Sequence, residues 1–248
     1  MLKSKPIRVI LPIIFWTAVW WAAAAAVSAE LLLPTPYAVI KCFFELIVTT
    51  DFWSTTALTI IRIFCGAALG ALLGVILSVI TCNVSLADVI LSPAIRVIRT
   101  VPVASFIILV LLWVKKGFVP ALISGLMVMP IMWESVSAGI KGCDKKLLEA
   151  ARAYGMSAPR TLQYVYLPAV KPHLISGVCS SVGLAWKSGV AAEVLCLPKS
   201  AVGTEIYYSK IYLETPSLFA WTITVILCSL LIEKLLLVLF RGKTGGDG

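Results

Sequence analysis

Six long apolar runs set the limits on what this chain can fold into: residues 9–29, 56–81, 100–114, 118–138, 172–194 and 218–240. A helix that crosses a bilayer core needs about 20 apolar residues, and these runs meet or approach that length. Only 13% of the residues are charged and 60% are hydrophobic, with a mean hydropathy of +1.00. A soluble domain carries roughly 25% charged residues, so the expected class is an all-α integral membrane protein with six transmembrane helices. The third run is short unless it starts near Ile90, and Pro93 and Pro102 could bend it. The first run follows Lys3, Lys5 and Arg8, as in a signal peptide, and Val27-Ser28-Ala29 resembles a cleavage site. Because Leu31-Leu32-Leu33-Pro34 continues the apolar character, it reads as an uncleaved span.

Charge gives the orientation. With the N-terminus in the cytoplasm, the inner segments hold Lys3, Lys5, Arg8, Arg96, Arg99, Lys141, Lys145, Lys146, Arg152, Arg160, Lys171, Arg241 and Lys243. The outer segments hold only Lys41, Lys115, Lys116, Lys199 and Lys210. Arg62, Lys187 and Lys234 fall within spans or at their edges. The excess on one side predicts both termini inside and the 139–171 loop in the cytoplasm. The same placement explains the net charge of +9 without nucleic acid as a partner. Seven scattered cysteines, no CxxC pair and a single histidine, His173, argue against a metal site or a His-based catalytic site, so neither a cofactor nor an enzymatic activity is expected.

Two outer segments, 37–50 and 203–214, mix aromatic, aliphatic and charged residues, as surface-lying helices do. No low-complexity linker divides the chain. Residues 1–53 read as an N-terminal helix with an outer amphipathic segment, 54–240 as the core, and 241–248 as a cytoplasmic tail.

The 139–171 loop carries the most specific pattern. Asp144 is placed to cap a helix from Lys145, and Leu147, Leu148 and Ala151 share one face of it. Gly155 can adopt positive φ and end that helix. Ser157 can cap a second helix with Pro159 in its first turn, and Pro168 is expected to end it before span five. Glu149 could pair with a base or brace the turn. The run Glu149-Ala150-Ala151, Gly155, then Val165-Tyr166-Leu167-Pro168 resembles the EAA loop of bacterial ABC-importer permeases: EAA, three residues, Gly, nine residues, Ile, any residue, Leu-Pro. Val165 in place of Ile is the one departure.

The resemblance implies a type I ABC-importer permease, with a five-helix core and one added N-terminal helix, in the bacterial plasma (inner) membrane. It also implies partners: two ATPase subunits docked on the loop through Glu149, Ala150, Ala151, Gly155, Leu167 and Pro168, an extracytoplasmic solute-binding protein received by the outer segments, and a second copy of the chain. The chain has no GxxxxGK[ST] loop to cradle nucleotide phosphates itself.

Three further patterns lie in the spans. Gly66, Gly70 and Gly74, with Ser78 continuing the face, form a small-residue ladder suited to close helix packing or to a sliding face. Arg96-Val97-Ile98-Arg99-Thr100-Val101-Pro102 opens span three and resembles the basic-x-x-Pro start found in nitrate/sulfonate/taurine permeases, or is a snorkelling pair. The usual Trp-Phe-Gly that closes that helix is replaced by Trp113-Val114-Lys115-Lys116-Gly117. Span five reads Gly183-Leu184-Ala185-Trp186-Lys187-Ser188-Gly189-Val190-Ala191-Ala192-Glu193, again similar to that subfamily. An intramembrane lysine faces a cavity or a partner. Gly183, Trp186, Lys187 and Glu193 are therefore the expected lining of a translocation path for a small, anionic solute. The competing reading pairs Lys187 with Glu193 or Glu134. The alternative function is an ion-coupled secondary carrier, which would use Glu134 and Glu193 as paired intramembrane acids.

Overall fold

The computed structural model describes residues 5–27 and 29–241, and these are helical with short connections. Helix α1 (Lys5–Val27) is followed by α2 (Pro36–Ile47), α3 (Thr50–Asn83), α4 (Ser85–Thr100), α5 (Val103–Val110) and α6 (Val119–Lys141). Then come α7 (Lys145–Ala153), α8 (Ala158–Thr161), a π turn at Leu162–Tyr166, α9 (Leu167–Cys196), α10 (Val202–Ile211) and α11 (Thr215–Arg241). Five helical stretches are long and apolar enough to cross a membrane, and a sixth crossing requires α4 and α5 together, bent by 106°.

The bend has a local cause. Proline disfavours the α region for the residue before it, and Val101 sits at φ −72°, ψ 133° ahead of Pro102. Pro93 lies inside α4 without ending it. The third run is therefore two helices, with only 103–110 helical in its apolar part.

Helix direction can be read from the contacts. Cβ atoms added to Gly66, Gly70 and Gly74 would meet Ala121, Gly125 and Met129. The partner is 55 residues on each time (121 − 66, 125 − 70, 129 − 74), so α3 and α6 run parallel. The small-residue ladder is thus a packing seam, and its partner is α6. Two parallel helices need a return crossing between them, which the bent α4–α5 pair supplies. By contrast, Ser124 contacts Ala185, Gly177 faces Met132 and Ser135, and Gly139 faces Val170 and His173. One number falls as the other rises, so α9 is antiparallel to α6.

The core lies along this α3–α6–α9 sandwich. Ala67, Val128, Met132, Val136 and Ala185 form its centre. Ile107, Val110, Val119, Ile123, Ala192 and Cys196 close one end, with α5 packed there. At the same end Phe52 stacks on Trp221 with centroids 5.1 Å apart, which ties α3 to α11. Trp20 of α1 stacks on Phe219 at 5.6 Å. The leucine-rich outer faces of α3 and α11 stay exposed, as lipid- or partner-facing surfaces do.

Residues 29–49 and 197–214 fall at one end of the bundle and 139–157 at the other, the same alternation that the charges predict. Helix α2 forms where an outer helix is expected, capped by the Thr35 hydroxyl. Thr49 caps α3, so this helix starts at Thr50, six residues before the apolar run, and the 53/54 boundary lies within its first turns. Helix α11 continues without a break past Glu233-Lys234 to Arg241. Of the 241–248 tail, Arg241 ends α11 and 242–248 lie outside the described residues.

Candidate functional site

The loop after α6 is built from its caps. Asp144 accepts from the Lys146 N–H at 2.8 Å and starts α7, a contribution of about 1 kcal/mol. At the other end Gly155 sits at φ +63°. The Met156 N–H reaches the Ala151 carbonyl at 2.9 Å and the Gly155 N–H reaches that of Arg152 at 3.0 Å. That pair of bonds is a Schellman closure, which requires the left-handed residue that glycine tolerates.

Ala151 is buried, while Glu149, Ala150, Gly155, Leu167 and Pro168 are exposed. Among the described residues, Glu149 forms no ion pair, and α7 makes no extensive contact with any spanning helix. Leu147, Tyr154, Leu162 and Tyr164 are exposed beside it. The result is a short helix that covers Ala151 and presents Glu149 and Ala150, edged with apolar side chains.

The second half of the loop departs from expectation at two places. Ser157 makes no side-chain cap; its carbonyl accepts from the Thr161 hydroxyl instead, at 3.2 Å. Pro168 does not end the helix, because residues 158–196 form one helical stretch of 39 residues. The Leu167 N–H reaches back to the Leu162 carbonyl, a five-residue step. This π turn widens the helix just where Pro168 brings a ring and no N–H, so the chain continues instead of breaking.

The four expected path residues do not share one face. Gly183 and Lys187 are exposed, as is Leu184. Trp186 is 1% exposed and its indole N–H donates to the Val225 carbonyl at 3.2 Å, so it packs α9 against α11. Glu193 is fully buried. It accepts from Arg62 at 2.7 Å, from the Thr59 hydroxyl at 3.0 Å and from the Gly203 N–H at 3.2 Å. Thr59 in turn accepts from the Val202 N–H at 3.0 Å. Glu193 is therefore a clasp joining α3, α9 and α10. Trp186 and Glu193 are buried inside this chain and present no open surface in it.

Lys187 pairs with neither expected acid. Glu134 is bonded to Arg99 of α4 and Glu193 to Arg62. The sequence offered one signal for Arg62, an arginine inside an apolar span, but nothing in the linear order joined it to a glutamate 131 residues away. With both acids occupied by arginines, the pair an ion-coupled carrier would need is not assembled. No cluster of three metal-ligating side chains occurs among the described residues.

Comparison with known proteins fits this architecture. TauC of Escherichia coli (strain K12), a taurine transport system permease protein, is 25% identical over 237 residues, covering 93% of this chain and 86% of its own. SsuC of Bacillus subtilis (strain 168), which carries the name of an aliphatic sulfonates transport permease protein, is 29% identical over 205 residues, or 82% of this chain and 74% of its own. A crystal structure of an amino acid ABC transporter with histidines shares the fold, with a TM-score of 0.64 at 20% identity, over 80% of this chain and 97% of that one. The family described as binding-protein-dependent transport system inner membrane component matches residues 66–242. The chain belongs to that family, as a multi-pass, non-catalytic permease subunit of an ABC importer that works with ATPase and solute-binding partners.

Proposed function

We propose that this chain forms half of the translocation path of an importer for a small anionic solute, with sulfonates such as taurine the leading class. In this reading both termini and the 139–171 loop are cytoplasmic, and two copies of the chain pair as a homodimer. Each copy docks one ATPase subunit on Glu149, Ala150, Ala151, Gly155, Leu167 and Pro168. The observation that carries it is α7, capped at both ends and presenting exposed Glu149 and Ala150. ATP binding draws the ATPases together, the loops move with them, and the path turns from inward- to outward-facing; hydrolysis resets it.

Gly183 and Lys187 supply the path face. Helix α9 ends at Cys196, nine residues on, so Lys187 lies about 14 Å from that end at about 1.5 Å per residue. A cation at that depth, with no carboxylate partner among the described residues, favours an anion. The names of TauC and SsuC point to the same solute class. The segments 37–50 and 203–214, at the opposite end from α7, receive the binding protein.

The test uses the transporter reconstituted with its ATPases and binding protein. Gly155→Val and Glu149→Arg should insert normally but lose ATP turnover stimulated by the loaded binding protein. Lys187→Met should keep assembly and basal hydrolysis while slowing transport. Full stimulation in both loop variants would remove the loop from the mechanism. Wild-type transport by Lys187→Met would remove the path assignment.

A further inference from the structure

A cavity of about 370 Å³ opens between α4 and α6, toward the α7 end of the bundle. Arg96, Arg99, Lys141, Glu134, Trp133 and Ser137 are among its walls. Three of these are cations and one is a carboxylate, an excess of two positive charges (3 − 1). The carboxylate is already used, since Glu134 is bonded to Arg99. Arg96 and Lys141 have no carboxylate partner among the described residues.

The neutral donors of the cavity are also engaged. The Trp133 indole N–H donates to the Thr81 hydroxyl at 2.9 Å, and the Ser137 and Ser78 hydroxyls bond each other at 2.9 Å. What remains on offer is two cationic side chains over a floor of Ile95, Pro130 and the Trp133 ring. A ligand that matches must bring acceptors and negative charge. It must also be compact, because the cavity is half-enclosed by two helices.

We infer that this cavity is an oxyanion site, taking a sulfonate, carboxylate or phosphate group between Arg96 and Lys141, with the Arg99–Glu134 pair as its neutralised wall. Two cations facing one anion give it charge-assisted bonds, which are stronger than neutral ones. The group can come from a free solute or from a phospholipid headgroup, since both present the same oxygens. The inference is independent of Lys187, which lies on α9 and not in this cavity.

The assembled transporter, in nanodiscs of neutral phosphatidylcholine, is titrated with ethanesulfonate at constant ionic strength, following the midpoint of thermal unfolding. Wild type should show a saturable rise, and R96Q/K141Q should need about tenfold more ligand, as expected for losing charge-assisted bonds at an exposed site. In nanodiscs containing phosphatidylglycerol, native mass spectrometry reads lipid retained by the same two proteins. A solute effect lost in the variant identifies a solute site. Retained phosphatidylglycerol lost in the variant, without a solute effect, identifies a headgroup site; either result supports the inference. If neither probe separates wild type from R96Q/K141Q, the site does not exist. The pair K115Q/K116Q, exposed in the loop between α5 and α6, should behave as wild type. An equal loss there would mean bulk charge alone and would also overturn the inference.

Discussion

Replacing Gly70 with alanine should destabilise the permease, whereas the same change at Gly183 should not. A Cβ on Gly70 would lie 2.1 Å from the Gly125 carbonyl oxygen and 2.6 Å from its carbonyl carbon and Cα. Comfortable heavy-atom contact begins at roughly 3.5 Å. Both obstacles are backbone, so no side chain can swing aside, and α3 and α6 must part by about 1 Å. A gap of that size forfeits about a quarter to a half of each contact along the seam. With a few dozen atom pairs at about 0.1–0.2 kcal/mol each, the loss is about 1.5–3 kcal/mol, in the range known for overpacked cores.

Helix propensity works the other way, favouring alanine over glycine by about 1 kcal/mol. The net for Gly70→Ala is then about 0.5–2 kcal/mol destabilising. A Cβ on Gly183 meets nothing within 4 Å, so only the propensity gain remains. Thermal unfolding of the two variants in the same detergent should therefore move the midpoint in opposite directions, or lower it for Gly70 alone. A Gly70→Ala protein as stable as wild type would refute the parallel α3–α6 seam as the organising contact of the fold.

Two further outcomes follow from the far end of the bundle. Glu193→Ala should cost about 3–5 kcal/mol, because it strands the partly buried Arg62; Glu193→Gln, which can still accept from Thr59 and Gly203, should cost less on the same unfolding measurement. Glu205, in α10, has its carboxyl pushed above the ordinary 4.5 by burial and, secondarily, by the nearby Asp51 carboxylate. Its contribution to stability is present below pH 4.5 and lost as the pH rises through the higher folded value. Glu205→Gln should flatten that part of the stability–pH curve, and an unchanged slope would show that Glu205 does not titrate in this window.

The features legible in the sequence are those set by local chemistry. Apolar run length located the spans; Asp144 and Gly155 announced the two ends of α7; the four-residue spacing of Gly66, Gly70 and Gly74 announced a close helix contact. What stayed hidden depends on tertiary pairing. A glycine ladder does not say which helix it meets or in which direction, and only the constant 55-residue offset to α6 shows a parallel pair. Lys187 was the nearest charge to Glu193 within the same span, yet Arg62 from α3 reaches it. Pro168 reads as a helix stop because proline removes an N–H; the π turn that accommodates it involves main-chain geometry that no residue type announces.

That π turn lies where loop motion would have to enter the membrane. Residues 158–196 are one helical stretch, so the second half of the loop and the exposed Gly183–Lys187 face share a single rod. The α3–α6 seam and the Glu193 clasp hold the far end of that rod in place. Its spacing from α7 includes the extra residue in 162–166. Deleting Val165 would return the turn to α-helical spacing with Leu167 still in line with Leu162, removing the widened turn and drawing the loop about 1.5 Å closer along the rod. Pro168 would then also meet an unwidened turn. The expected result is a permease that inserts but loses about 3 kcal/mol of stability, the cost of a proline in an unwidened helical turn. Its ATPase partners should still hydrolyse ATP but no longer respond to the loaded binding protein. Normal stimulation in the deletion variant would mean that the rod does not carry the signal, and the coupling between α7 and the Lys187 face would have to run through α6.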